Sequence, residues 1–348
     1  MQQVFCTILR NGARVQSGYN RNTFIMKALQ FNALLKTTIW GGEEVTALKN
    51  LKDAPAQVGE SWEISGVPGN ETVVSEGEHQ GRTLGQLIET YGAELVGKRN
   101  MERYGTTFPL LIKFISAAQD LSIQVHPDDA MAQRMGHPYG KTEMWYIVRT
   151  QPRASLCSGF NADFSAEGYE ASLADGTLMS HLSRHETKPG DCFFIPAGRI
   201  HSIGAGNFLV EIQQSSNDTF RVYDFDRTDA QGNKRELHVA QAREALDYKA
   251  YPEYRTRYEL QPDACTPLVA CEQFNTRLYE LSKPCTANYA DIDSFVIVIA
   301  FEGSATLRYD EGEVELKAGE CVLFPATTQQ VEMVPGAEGF KALETFCL

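Results

Sequence analysis

Two histidines, a carboxylate and a side-chain amide have the types and positions that could hold a divalent metal ion. Gln124 and His126 alternate along one predicted strand, so both side chains point to the same face. Glu143 stands at the start of the next apolar run, and His201 follows a corner rich in glycine and proline. Taken singly, each residue is more often structural, but their joint spacing favours a mononuclear site. Nitrogen and oxygen ligands suit zinc and leave positions open for substrate or water.

Two lysines could add charge to such a site. Lys141 lies two residues before Glu143, so on a strand both side chains face the same interior. Its ammonium could transfer protons if a nearby metal lowered its pKa, and a contact to a phosphate group is an equal alternative. Lys113 interrupts an apolar strand, where a buried ammonium needs an anion. We expect Lys113 to bind substrate in the pocket, and a rim lysine whose stem covers apolar surface is the alternative.

The elements that must position these residues are predicted to be mainly β. Short apolar runs bounded by glycine, proline and aspartate recur from residue 106 onward, which is typical of an all-β barrel or sandwich. Helical spacing occurs at 84–95, 164–182 and 239–246. Asp128 and Asp129 are interpreted as the N-terminal cap of a further short helix. We therefore expect added α-helices packed on a β core.

The corner that leads to His201 occurs twice in the chain. Residues 188–197 return as 317–326, and each copy has a glycine turn, an acidic residue, an apolar strand and a proline. This repeat predicts two related barrels, with a boundary near 248–268. In the second copy Thr327 replaces Gly198 and Gln330 replaces His201. We therefore expect a metal site in the first barrel only.

Composition disfavours several other classes of protein. The 348 residues contain 32 Lys and Arg against 45 Asp and Glu, a net charge of −13 that argues against nucleic-acid or anionic membrane partners. The eight cysteines form no C-x-x-C pair, so we expect reduced, mostly buried thiols and a cytoplasmic location. Residues 1–25 lack the apolar core of a signal peptide. We interpret them as a dispensable N-terminal extension that precedes Met26.

Several of these patterns resemble known motifs. The spacing Gly190-x5-Pro196-x-Gly198-x2-His201 resembles the second cupin motif, although Ala205 stands where that motif usually continues with asparagine. From about residue 26 to the C-terminus, the chain resembles the short bacterial branch of the type I mannose-6-phosphate isomerases. The segments that carry this resemblance are Trp40-Gly41-Gly42, 59–63, 108–114, Gln124-Val125-His126-Pro127 and 141–146.

The resemblance implies a fold and a reaction. The fold would be two cupin-type jelly-roll β-barrels with added α-helices: a catalytic metal-binding domain with helical insertions at 26–250, and a C-terminal barrel without metal ligands at 268–348. The reaction would interconvert mannose 6-phosphate and fructose 6-phosphate by metal-assisted proton transfer between carbon 1 and carbon 2. The expected partner is therefore a phosphorylated hexose, bound by a monomer or a homodimer.

The resemblance also implies roles for particular residues. One zinc ion per chain would be held by Gln124, His126, Glu143 and His201, and Arg221 would be catalytic. Its guanidinium would either stabilise the enediolate anion or hold the phosphate group. The structural alternative for Arg221 is a surface ion pair with Asp218 or Asp224.

Two other functions are compatible with a cupin scaffold. One is a non-catalytic cupin that binds a sugar or sugar phosphate as a sensor or storage protein, but binding alone needs no proton-transfer group such as Lys141 or Arg221 beside a metal. The other is an iron-type oxygenase, which requires histidine-rich ligation. Gln124, in place of a second histidine, argues against the oxygenase.

Overall fold

The computed structural model describes residues 26–228 and 231–348. The predicted extension, residues 1–25, lies outside the described residues, so its dispensability stays a prediction. The strands are β1 Phe31–Asn32, β2 Leu34–Gly42, β3 Val58–Ser65, β4 Val73–Val74, β5 Leu110–Ser116, β6 Ile123–Val125, β7 Glu143–Thr150, β8 Ser155–Phe160, β9 Leu182–Glu186, β10 Cys192–Ile195, β11 His201–Ile203, β12 Asn207–Gln214, β13 Phe220–Tyr223, β14 Cys265–Ala270, β15 Asn275–Leu281, β16 Cys285–Asn288, β17 Val296–Tyr309, β18 Gly312–Lys317, β19 Cys321–Phe324 and β20 Gln330–Phe346. The helices are α1 Glu44–Leu48, α2 Leu84–Tyr91, α3 Ala93–Val96, α4 Lys98–Tyr104, α5 Asp129–Arg134, α6 Ala166–Ala174 and α7 Val239–Ala245.

The first unit, made of β2, β3 and β5 to β13, contains two sheets. One sheet has the strand order β10-β7-β12-β5-β3-β2, and the other has the order β13-β6-β11-β8-β9. Ile147 from the first sheet and Ile203 from the second share one buried apolar cluster. The two sheets therefore pack face to face, and residues of β6, β7 and β11 meet in the interior between them.

The second unit, made of β14 to β20, is a single seven-stranded arrangement. Its strand order is β14-β15-β20-β17-β18, with β16 paired to β20 and β19 paired to β17. Register shifts in the pairing of the long strands β17 and β20 bend the sheet, which surrounds its own apolar cluster. The predicted mainly β fold with added helices is confirmed, although hydrogen bonding between the described strands leaves open sheets rather than closed barrels.

The helices follow the sequence signals, with shorter bounds. α2 begins with a capping box between Thr83 and Gln86 and ends before Gly92, whose φ is +50°. The expected helix at 164–182 is divided: α6 is followed by Gly176 at a φ of +74°, and then by the 3₁₀ turn Leu178–His181. Asp128 caps α5, since its carboxylate accepts a hydrogen bond of 2.7 Å from the backbone N–H of Met131.

The two units share a continuous apolar interface. The rings of Phe108 and Phe295 lie 4.6 Å apart, and those of Tyr146 and Phe301 lie 5.1 Å apart. The outward-facing residues of β7 and β17 belong to the same buried cluster. Lys113 in β5 and Glu143 in β7 therefore lie on a sheet whose opposite face is supported by the second unit.

Candidate metal centre and its cavity

Strand pairing brings the four predicted metal ligands together from both sheets of the first unit. Gln124 in β6 is the direct cross-strand partner of His201 in β11. His126 follows β6, and Glu143 opens β7 in the facing sheet. The corner before β11 needs glycine at position 198, because the φ angle there is +87°. The backbone N–H of Gly198 donates to the carbonyl of His126. This bond fixes the two histidine-bearing segments relative to each other.

The ligand atoms converge on one point. The Nε2 atoms of His126 and His201 lie 3.1 Å apart. One Glu143 oxygen, Oε2, lies 3.5 Å from His126 Nε2, and the other, Oε1, lies 3.4 Å from His201 Nε2. All three residues are buried, and their ligand atoms lie within 4.8 Å of one another. A single cation placed among them would reach all three side chains.

The proton positions on the two imidazoles support a cation at this point. His126 Nδ1 lies 2.7 Å from the carbonyl of Asp218, and His201 Nδ1 lies 2.8 Å from the carbonyl of Arg199. A carbonyl only accepts, so each Nδ1 carries the hydrogen and each Nε2 presents a lone pair. Both oxygens of Glu143 are buried without a hydrogen-bond partner among the described residues. The ammonium of Lys141 lies close to these converging acceptors, and a divalent cation would satisfy both imidazoles and the carboxylate together.

Burial controls the charge of the three side chains. Burial, and then the ammonium of Lys141, lower the pKa of His126 well below its usual range. Burial lowers the pKa of His201 to about 3, so both rings are neutral at neutral pH. The same burial raises the pKa of the Glu143 carboxyl, against the effect of Lys141. A bound cation would supply the charge that favours the carboxylate form.

Gln124 and Lys141 complete the surroundings of this point. The amide nitrogen of Gln124 lies 3.3 Å from His201 Nε2, and turning the amide over presents its oxygen instead. Lys141 Nζ lies 3.1 Å from His126 Nε2 and 3.3 Å from Glu143 Oε2. The structure therefore brings together all four predicted ligands and the lysine predicted to lie beside them.

Lys113 lies in the same interior with a partner that the sequence analysis missed. Its Nζ is 2.9 Å from Glu211 Oε2 and 3.9 Å from Glu60 Oε2, and its side chain is 4% exposed. Trp145 donates a hydrogen bond of 2.9 Å to Glu211. Lys113, Lys141 and Trp145 lower the pKa of Glu211 although burial opposes ionisation. The available signal was a carboxylate inside the apolar run of β12, since such a group needs a buried cation.

A cavity of about 310 Å³ opens beside the metal ligands. Gln124, Lys141, Lys113 and Arg221 all contribute to its wall. The remaining residues that line it include Thr38, Trp40, Glu60, Ser122, Glu211, Asn217, Thr219, Arg235 and His238. Its volume and its many polar groups suit a small polar ligand. The sequence analysis missed Arg235 and His238, which lie after β13 in a segment without apolar periodicity.

Arg221 is the cross-strand partner of Gln124, which places it at the metal end of the cavity. Its Nη1 donates a hydrogen bond of 2.9 Å to the carbonyl of Glu236, and its Nε is buried without a partner among the described residues. The surface ion pair that was its structural alternative is not formed. Asp218 contacts His137 instead, and Asp224 pairs with Arg227 and Arg235.

Comparison with known proteins places this site in a family. Residues 28–152 match the family described as phosphomannose isomerase type I, catalytic domain, and residues 264–338 match the mannose-6-phosphate isomerase cupin domain. Mannose-6-phosphate isomerase ManA of Bacillus subtilis is 35% identical over 302 residues, which are 85% of this chain and 92% of the relative. The chain belongs to the type I mannose-6-phosphate isomerase family. Its fold class, with cupin-type units, is thereby confirmed.

Other relatives agree. A mannose-6-phosphate isomerase of Streptococcus mutans is 33% identical over 293 residues, covering 83% of this chain and 89% of the relative. The crystal structure of the mannose 6-phosphate isomerase from Bacillus subtilis matches with a TM-score of 0.83 at 29% identity, covering 93% of this chain and all of that chain (100%). The prediction of an isomerase of this family is confirmed, and the non-catalytic sugar-binding cupin is not favoured.

Proposed function

We propose that the cavity beside His126, Glu143 and His201 converts mannose 6-phosphate to fructose 6-phosphate and back. The observation that carries this proposal is the convergence of two imidazole lone pairs and a buried carboxylate beside a polar cavity of about 310 Å³. An aldose–ketose exchange moves a proton between carbon 1 and carbon 2 through an enediolate, so it needs cations near the sugar oxygens and one group that exchanges protons.

The metal in this proposal is zinc, held by Gln124, His126, Glu143 and His201. The donor set supports it, because two neutral imidazoles, a carboxylate and an amide oxygen are ligands that zinc accepts, with room left for substrate. When bound, the ion would stabilise negative charge on the sugar oxygens and orient the open chain.

The roles of the chain's own side chains follow from their places in the cavity. Lys141 is the proposed proton-transfer group, since its ammonium lies within 3.1 Å of a ligand imidazole and borders the cavity. Arg221 would balance the negative charge of the enediolate, and its permanently charged guanidinium suits that task. Lys113 would bind a substrate hydroxyl, because its charge is already balanced by Glu211.

The wider context of the reaction is part of the same proposal. Residues 26–250 would carry catalysis, and 268–348 would carry no metal ligand. No helix of the described residues is long and apolar enough to cross a bilayer. The described cysteines, from Cys157 to Cys347, are free thiols, which supports the reducing cytoplasm as the location. The net charge of −13 supports action without nucleic acid or an anionic membrane surface, and the proposed oligomeric state is a monomer or homodimer.

The test is an isomerase assay on the purified protein. Mannose 6-phosphate is supplied with and without a chelator, and fructose 6-phosphate is followed over time. We expect turnover that the chelator abolishes and that added zinc restores. A chain that binds mannose 6-phosphate tightly, holds its metal and forms no fructose 6-phosphate would instead be a sugar-phosphate sensor, and the proposed function would be wrong.

A further inference from the structure

Arg235 lies at the open end of the cavity. It contributes to the same wall as Arg221 and His238, and its side chain is 29% exposed. The side chains of His126 and His201 at the closed end are only 1% exposed. A sugar held with carbon 1 and carbon 2 at the closed end would therefore direct its far end toward Arg235.

One carboxylate fixes the orientation of Arg235. Its Nε and Nη2 donate to the two oxygens of Asp224, at 2.8 Å and 2.5 Å. The third guanidinium nitrogen, Nη1, has no hydrogen-bond partner in the part of the chain that the structure describes. Asp224 also accepts from Arg227, whose Nη1 continues to the carbonyl of Asp120 and which is not part of the cavity wall. Arg235 is thus a held guanidinium with donors left for a ligand.

The charge at this end of the cavity is not balanced. Arg221 and Arg235 both line the cavity, and burial followed by the charge of Arg235 lowers the pKa of Arg221. Asp224 is shared with Arg227, so a single carboxylate serves two arginines there. The cavity's own carboxylates, Glu60 and Glu211, are both occupied at Lys113. Two neighbouring cations with free donors are stabilised by an anion that accepts from several N–H groups.

We propose that Arg235 binds the phosphoryl group of the substrate and so makes the enzyme specific for phosphorylated sugars. This assignment rests on the proposed function and deepens it. Arg221, paired with Gln124 across the strands, stays at the reacting end. A phosphoryl dianion at Arg235 accepts from the unpaired nitrogen Nη1, and its negative charge offsets the repulsion between the guanidinium groups of Arg235 and Arg221. It also orients the sugar, because its position fixes which end reaches the metal ligands.

The test compares two neighbouring cations of one loop. Arg235→Ala removes a guanidinium from the cavity wall. Lys234→Ala is the matched control, since Lys234 is 62% exposed, pairs with Asp226 and does not line the cavity. We expect Arg235→Ala to raise KM for mannose 6-phosphate by at least about tenfold, the scale of one charged hydrogen bond, with a smaller change in kcat. Arg235→Lys should fall between this variant and wild type, and Lys234→Ala should match wild type.

A binding measurement separates this proposal from the proposed function. Titration calorimetry gives the affinity for mannose 6-phosphate and for unphosphorylated mannose, whether or not the protein turns over. We expect Arg235→Ala to weaken only the phosphorylated sugar, with melting temperature and metal content unchanged. Equal weakening of both sugars, or unchanged KM and affinity for mannose 6-phosphate, would overturn the role of Arg235. Absence of turnover in the wild type would overturn the proposed function alone.

Discussion

The two units have the same strand pairing but different interiors. In the first unit Glu143 pairs with Ile195 across the strands, and in the second unit Val296 pairs with Phe324, which is the same position in the repeat. Val296 thus occupies the place of Glu143, the proposed metal ligand. Gln330, the repeat counterpart of His201, is exposed on its strand. The second unit therefore keeps the backbone that could position a metal site while its side chains form an apolar core.

One feature of the first unit's cavity recurs in the second. Lys113 pairs with Glu211 across β5 and β12, and Arg277 pairs with Glu344 across the corresponding strands β15 and β20. The ion-pair distances are 2.9 Å and 3.0 Å. Each carboxylate also accepts from an aromatic donor, Trp145 in the first unit and a tyrosine in the second. In the second unit this ion pair exists although the described residues there form no group of metal-ligating side chains, so the pair belongs to the fold and not to the reaction alone.

The electrostatics of the two pairs differ. The pKa of Glu211 is lowered, because two lysines, Lys113 and Lys141, outweigh the effect of burial. The pKa of Glu344 is raised, because burial outweighs the effect of Arg277, which is 30% exposed. The surroundings therefore favour the carboxylate form of Glu211 and disfavour the carboxylate form of Glu344. The cavity's second lysine makes the difference.

The largest effect is expected from removing a proposed metal ligand of the first unit, with the counterpart residue of the second unit as the control. His201→Ala removes a ligand atom from the converging group, and we expect loss of bound metal and of turnover. Gln330→Ala, its counterpart in the second unit, should keep both, since its side chain is exposed on the outside of the sheet. Elemental analysis and the isomerase assay measure the two effects. A folded His201→Ala protein with a full equivalent of metal would contradict the assignment.

The next effect concerns the cation at the reacting end. Arg221→Lys keeps the charge but loses the planar fork, so we expect kcat to fall at least ~100-fold with a smaller change in KM. Metal content should not change, because Arg221 is not among the grouped ligands. Steady-state kinetics of Arg221→Lys and the wild type measure the changes in kcat and KM separately. A raised KM with kcat intact would make Arg221 a uniform anchor for the substrate and leave the catalytic role to Lys141.

Local patterns in the sequence were enough to predict the metal site and the mainly β fold. Alternation in β6, the position of Glu143 at a strand start and the corner before His201 each depend on few neighbouring residues. Arg235 and Glu211 could not be predicted in this way. Their partners, Asp224 and Lys113, depend on a loop path and on strand pairing between distant segments. The helix expected at 164–182 was too long because Gly176 adopts a positive φ.

The two buried ion pairs give a third, smaller effect, on stability. Glu211→Gln leaves the buried Lys113 with only the more distant carboxylate of Glu60, 3.9 Å away, and we expect a loss of about 3 kcal/mol in unfolding free energy at pH 7. Glu344→Gln should cost less, because Arg277 remains partly hydrated and because the carboxylate form of Glu344 is itself disfavoured by burial. Denaturant titration of both variants measures the difference.

The contributions of Glu211 and Glu344 to the unfolding free energy should change with pH in opposite directions. The pKa of Glu211 is lower in the folded chain than its ordinary value of 4.5. Its ionisation therefore adds to the unfolding free energy above pH 4.5, and this contribution is lost as pH falls below 4.5. The pKa of Glu344 is higher in the folded chain than its ordinary value of 4.5. Its protonated form therefore adds to the unfolding free energy below pH 4.5, and this contribution is lost as pH rises. The difference in unfolding free energy between Glu211→Gln and Glu344→Gln should therefore become smaller as pH falls toward about 4. A gap that widens on acidification would show that the two carboxylates have been assigned the wrong environments.

The smallest expected effect concerns Tyr289, the aromatic donor of the second unit. Its hydroxyl donates to Glu344 at 2.6 Å in a fully buried position, so Tyr289→Phe removes one donor without changing the ring. We expect a loss of about 1–2 kcal/mol in unfolding free energy, because a buried carboxylate loses a hydrogen bond while Arg277 still pairs with it. Turnover should stay at the wild-type level, since we propose that the second unit supplies stability and not chemistry. A large fall in kcat with unchanged melting temperature would contradict that division and show that the two interiors are coupled.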